Sequence, residues 1–230
     1  MALTLNSTDD VLSHPATGLF TSTNWSACGW VYLESDRNTN SVIVVRFSDN
    51  TATNFSGIAL GTDGTSALIT TQAGDSSSYG LSTGVWYHVA YVKSGSSHTL
   101  YVDGVSRATL TQAVGADGAG AALALGGNGA SHTNARISAW KAWETALTGD
   151  QVVNEMRTIQ PRVTTSMWGV FPLWDATFVT DISGSGHSLT AMGTYATADG
   201  PPVSWGGASI IGSWVQPAAA PATAFQPNAF

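Results

Sequence analysis

The stretch Gly84–Gly104, GVWYHVAYVKSGSSHTLYVDG, crowds Trp86, His88, Tyr101 and Asp103 into one short segment. An imidazole near a carboxylate is the raw material of general acid–base catalysis. His88, however, falls in a run with strand alternation and has no acid close by in that run. It is therefore expected to be a hydrogen-bonded core histidine. Retaining glycosidases need two carboxylates about 5–5.5 Å apart, which on one strand means acids two or four residues apart. The three glutamates, Glu34, Glu144 and Glu155, have no such partner, and Asp36 follows Glu34 inside the turn ESDRNTN. No G-x-S-x-G elbow supports a serine nucleophile. The expectation is a protein that is not an enzyme.

Metal and sugar chemistry have thinner candidates. His14, His98, His132 and His187 lie in polar stretches without metal-ligand spacing. Asp181-x-Ser183-x-Ser185 resembles the start of a calcium loop, but the twelfth position is Met192. It reads as a Gly-rich turn whose Asp and Ser bond the backbone. The expected cofactor is none, with calcium kept as the open alternative. Trp140 and Trp143, close in sequence to Asn128, His132 and Asn134, could form an aromatic platform with amide partners for a glycan.

Composition narrows the classes further. The chain has 230 residues, 10% charged, with a net charge of −7 and eight scattered Lys plus Arg. Nucleic-acid binding needs a basic face to neutralise phosphates, and none is visible. No run approaches the ~20 apolar residues of a membrane span. Neither nucleic acid nor membrane is expected as a partner. Cys28 is the only cysteine, so it reads as a small buried thiol. If Met1 is the natural start, MALTLNSTDD has neither the basic segment nor the apolar run of a signal peptide.

The elements that must carry these residues are mostly strands. Val85, Tyr87, Val89 and Tyr91 alternate with Trp86, His88, Ala90 and Val92, apolar on both faces. That pattern places the segment in the middle of a sandwich, with Trp86 buried and its removal costing about 3–5 kcal/mol. Thr99–Val102 follows, and Asp103-Gly104 signals a tight hairpin into Val105–Leu110. Further strands are expected at Ala27–Leu33, Ser41–Phe47, Gly57–Leu60, Ala67–Thr71, Ala121–Leu125 and Ala135–Trp140. Thr148 and Gln151 form a capping box before Val152, Val153, Met156 and Ile159, and Pro161 stops that helix.

In order, the motifs Trp86-Tyr-His88-Val-Ala, Leu100-Tyr101-Val-Asp103-Gly104, Leu125-Gly-Gly127, Ile137-Ser-Ala-Trp140 and Ala146-Leu-Thr-Gly-Asp150 resemble the laminin-G-like, concanavalin A-like lectin/glucanase superfamily. LTLNSTDDV and WSACGWVYL resemble its first strands, and the likeness covers about residues 1–160. The resemblance implies an all-β fold, an antiparallel two-sheet jelly-roll sandwich with one short surface helix. It also implies that His88 and Trp140 are packing residues. Trp168–Gly193 resembles a segment that usually precedes such domains. Here it follows, and is read as closing strands, residues 163–200, of a domain spanning 1–200.

Residues 201–230 are read as an extended apolar arm. From Gly200 to Phe230 no residue is charged, Pro217, Pro221 and Pro227 forbid a regular helix, and Trp205, Trp214, Phe225 and Phe230 are spaced along it. Such a segment suits a strap across its own subunit or, the reading favoured here, an arm that grips a neighbouring one. Similar domains in structural proteins of tailed bacteriophages suggest a virion protein, a capsid decoration (cement) or tail accessory. The partners would be further copies, as trimer or dimer, and a major capsid protein. The alternative is a lectin domain, calcium-dependent or not, that binds a host glycan.

Overall fold

The computed structural model describes residues 1–5, 10–14, 23–34, 42–48, 55–60, 65–71, 73–112, 122–127, 134–174 and 179–203. In chain order the strands are β1 (Ala2–Leu5), β2 (Val11–Ser13), β3 (Asn24–Leu33), β4 (Val42–Ser48), β5 (Phe55–Leu60), β6 (Ser66–Thr71), β7 (Gly74–Asp75), β8 (Tyr79–Gly80), β9 (Trp86–Ser94), β10 (Ser97–Val102), β11 (Val105–Thr111), β12 (Ala122–Leu125), β13 (Ala135–Trp143), β14 (Met167–Phe171), β15 (Thr190–Met192) and β16 (Ala196–Ala198). One helix, α1 (Gly149–Glu155), lies between β13 and β14. The strands form two antiparallel sheets. The first runs β11-β10-β9-β3-β13-β1-β16, with β14 also on β13; the second runs β15-β2-β12-β4-β5-β6-β7, with β8 on β6. The segment after Pro161 supplies β14, β15 and β16, which pair with β13, β2 and β1 and so enter both sheets.

The core between the sheets follows strand alternation. On β3, Trp25, Ala27, Val31 and Leu33 face inward; on β9, Val89 and Tyr91 do, and from the other sheet Val45, Ile58, Leu60 and Ile69 meet them. At the core position between Ala27 and Val31 stands Gly29, on which the Trp140 indole lies. A Cβ at residue 29 would overlap that ring, so the glycine is there for close approach rather than for a turn.

The hairpin that the Asp-Gly pair signals is present. Asp103 and Gly104 have φ of 51° and 77°, positive at both central positions as a type I′ turn requires. The Asp103 carboxylate accepts a hydrogen bond from the His88 amide at 2.9 Å, and the Asp103 amide donates to the His88 carbonyl at 2.8 Å.

Three expectations are corrected. Trp86 and Tyr87, at the start of β9, are only partly buried, and Val85 is 46% exposed. Both faces are covered only from His88 to Lys93, and Trp86 sits at the strand's end. Strand β13 runs three residues past Trp140, and its alternation breaks at Ala139, where φ is 53° and the register with β3 shifts. That bulge sends Trp140 to the same core face as Ile137, a parity that simple alternation gets wrong. The helix also ends early, at Glu155 with Met156 as its cap, although both capping-box bonds are made. The Glu155 side chain turns back to bind the amides of Arg162 and Val163, each at 2.7 Å, and this folds the chain away from the helix axis.

Replacing Gly29 by Ala is expected to destabilise the protein by about 1–3 kcal/mol through overpacking against Trp140. The readout is the urea midpoint at unchanged m-value; an unaltered midpoint would show that the indole moves aside freely.

Candidate functional site

The outer face of the first sheet, turned away from the core, falls into two halves. One half lies under α1 and the segments flanking it. There Cys28, Ala90, Val92 and Trp143 pack against Leu147 and Val152, with Tyr101, Ala146, Val163 and Met167 around them. Within this apolar layer sits a buried ion pair. The Lys141 ammonium donates to Glu155 Oε2 at 2.7 Å, to the Glu155 carbonyl at 2.8 Å and to the Thr158 carbonyl at 2.7 Å. The other carboxylate oxygen, Oε1, takes the Arg162 and Val163 amides. All three ammonium protons and both carboxylate oxygens are thus used, the condition under which a buried pair repays its desolvation. Ser26 adds a second tie: its hydroxyl donates to the Thr145 carbonyl and accepts the Leu147 amide.

His88 lies on this same outer face, between Trp30, whose ring centroid is 5.5 Å away, and the Asp103 turn. It is buried, but neither ring nitrogen has a hydrogen-bond partner among the described residues. The expected hydrogen-bonded core histidine is therefore buried but unpartnered. Burial first, and the Lys141 charge second, push its pKa down to about 3, so it is neutral at physiological pH. Burial likewise pushes the Cys28 thiol up to about 12, which fits an inert packing thiol. Neither group is placed for acid–base or nucleophilic work.

The other half of the face is not under the helix. Register across four strands aligns Thr4 with Arg136, Arg136 with Tyr32, and Tyr32 with Trp86. Their chain neighbours Leu3, Leu5, Ala135, Ile137, Val31, Leu33 and Tyr87 pack in or against the core, so these four side chains share the outer face. All four are partly exposed. The Tyr32 and Trp86 rings lie 5.5 Å apart, tilted by 54°, and the Arg136 guanidinium sits 4.6 Å over the Tyr32 ring. Arg136 Nε donates to Glu34 Oε1 at 2.5 Å, an interaction that raises the arginine's pKa. Trp30, also partly exposed, lies one row behind. The result is an aromatic strip, Trp30–Tyr32–Trp86, bordered by a guanidinium–carboxylate pair.

The structure places the predicted site residues as follows. Trp143 is fully buried, and its indole N–H donates to the Val163 carbonyl at 2.8 Å; it offers no face to a sugar. Trp140 is fully buried in the core. Asn134 lies at the open half, where its carbonyl accepts the Glu34 amide. Asn128, His132, Trp205, Trp214, Phe225 and Phe230 lie outside the described residues. Asp181 is an organiser of backbone: Oδ1 takes the amides of Val170 and Ser183, and Oδ2 takes that of His187. Sequence reasoning missed Trp30, Tyr32 and Arg136. The one available signal was that Trp30 and Tyr32 alternate with the inward Val31 and Leu33, which put two aromatics on an outward face.

Comparison with known proteins identifies the lineage. Residues 6–153, more than half of the chain, match the laminin-G-like family described as the Concanavalin A-like lectin/glucanases superfamily. The chain belongs to that superfamily. No curated protein matches the sequence. Among solved structures, this superfamily member is similar to a Bacteroides ovatus protein provisionally called a carbohydrate binding protein, with 14% identity and a TM-score of 0.63. That match covers 88% of this chain and 61% of the other, so the chain spans less than two thirds of that protein's length. It is also similar to a native heptameric SAP-like pentraxin from Limulus polyphemus, with 17% identity, a TM-score of 0.54, and coverage of 86% and 92%. At these identities the likeness shows the fold alone.

Two outcomes follow from the covered half. Lys141→Met should cost about 3–5 kcal/mol by stranding the Glu155 charge, and adding Glu155→Leu should restore much of it. A double-mutant cycle in urea reads this, and additive losses would show that the pair is not coupled. His88 is neutral in the folded state down to about pH 3, while an unfolded histidine takes up its proton near pH 6.5. The unfolded state therefore binds the extra proton, and stability should fall as pH drops from 6.5 toward 3, by about 1.4 kcal/mol per unit from this group. His88→Phe should flatten that slope; an unchanged profile would mean His88 is hydrated in solution.

Proposed function

We propose that this protein is a non-enzymatic carbohydrate-binding module whose ligand rests on the strip Trp30, Tyr32 and Trp86. The observation that carries the reading is the partly exposed aromatic row on the half of the sheet that is not under the helix, with the Arg136–Glu34 pair beside it. Apolar ring faces with a few convergent polar groups are the usual make-up of a small-molecule site. Aromatic rings suit the C–H faces of a sugar, and a guanidinium and carboxylate suit its hydroxyls. Superfamily membership supports the reading. So does the resemblance in fold to a protein provisionally called carbohydrate-binding. The non-catalytic half of the proposal rests on the engagement of two of the three glutamates: Glu34 holds Arg136, and Glu155 holds Lys141 and two amides.

The virion assembly reading draws no support from these relatives. Its arm, residues 201–230, lies almost wholly outside the described residues.

Glycan-array screening of the protein, followed by Trp86→Ala and Tyr32→Ala, tests the proposal. At least one glycan should bind, and each variant should weaken it at least tenfold while the unfolding midpoint stays close to that of the parent. Trp86 is only partly buried, so its loss should not unfold the sandwich. Absence of any bound glycan, or full binding by both variants, would overturn the reading.

A further inference from the structure

The shape and charge of the same strip narrow the ligand further, on the basis of the carbohydrate-binding reading above. We infer that it takes an internal segment of an uncharged polysaccharide, laid across the strands from Trp86 toward Thr4.

Shape comes first. The row Trp86–Tyr32–Arg136–Thr4 crosses β9, β3, β13 and β1 at aligned register positions. Adjacent strands lie about 4.8 Å apart, so three steps span about 14 Å. That is the scale of about three sugar residues of an extended chain, rather than of one terminal sugar. Neighbouring positions on a sheet face form a surface, and the four side chains here come from four different strands of it. Beyond Thr4 the face runs on to the exposed Ala196 of β16, so the row supports a chain that continues past its last residue.

Charge comes second. Arg136 is the single cation in the row, and it is already engaged. Its Nε bonds Glu34, its guanidinium lies over Tyr32, and Asp199 adds a further favourable charge. Glu34 is bonded to Arg136 itself, and Asp199 lies between the guanidinium and the Met1 ammonium, so no cation in the row is left without a carboxylate. The whole chain carries −7. A uronate, sialate or sulfate placed here would have to displace the Glu34 carboxylate from Arg136. Neutral hydroxyls instead use the pair as it stands, accepting from the guanidinium N–H groups and donating to the carboxylate.

Isothermal titration of the full chain against a length series of neutral oligosaccharides, and against acidic polysaccharides, tests this. The probes are soluble gluco-, manno- and arabino-oligosaccharides of one to six residues, polygalacturonate and a sulfated glycan, each also run with Trp86→Ala and Arg136→Gln. A neutral series should bind with affinity rising at least tenfold from one residue to about three and then levelling, and Trp86→Ala should abolish it. The acidic polymers should bind at least tenfold more weakly than the best neutral one. Arg136→Gln should lower affinity for the neutral series while the unfolding midpoint stays near that of the parent. If an acidic glycan binds best and Trp86→Ala removes it, the strip is a sugar site and the charge inference is wrong. Binding of a monosaccharide as tight as that of its trimer would sink the through-running geometry. Binding that ignores Trp86 would overturn the carbohydrate assignment of the strip itself.

Discussion

The Lys141–Glu155 pair is the constraint on which the arrangement of the outer face depends. Around one ammonium it gathers a strand, the last turn of α1 and the segment after it, and its carboxylate holds the chain at Arg162 and Val163. This decides how far the helix extends and therefore how much sheet it covers. A helix continuing to Pro161 would cover a different stretch of the sheet from the one it covers now. One half of the face is an apolar layer packed under α1 and its flanking segments, and the other carries the partly exposed aromatic row.

The bulge at Ala139 makes this possible. Before it, Ile137 points into the core and Arg136 out; after it, Trp140 points in and Lys141 out. One additional residue in β13 thus aims the Trp140 indole at Gly29 and the strand's lysine at Glu155. Without the shift, the indole would lie on the outer face and the ammonium in the middle of the apolar core. The strained αL conformation of a non-glycine residue is held in place by what it positions on either side. A backbone bond from the Ala139 amide to the Pro172 carbonyl steadies it.

Much of the fold was legible because its signals are local. The Asp103-Gly104 turn, the Thr148–Gln151 box and the alternation through β3 and β9 each depend on residues a few positions apart, and each is present. What escaped depends on distant partners. The bulge lies where β13 meets both β3 and β14, and the end of the helix lies where Glu155 meets Lys141 and the amides of Arg162 and Val163. The candidate site escaped for the same reason. Thr4, Tyr32, Trp86 and Arg136 become neighbours only through strand register, and no spacing along the chain reveals that.

The place of β1 in the sheet has a consequence for how the molecule is made. Its two neighbours are β13 and β16, so Leu3 must wait for Ile137 on one side and Thr197 on the other. Asp10 likewise meets Thr194, 184 residues later. Both neighbours of β1 therefore come from far along the chain, and loop-closure entropy is paid before any of its contacts reward it. Closing this sandwich therefore depends on long-range pairings, the kind that slow folding and leave strand edges exposed until they form.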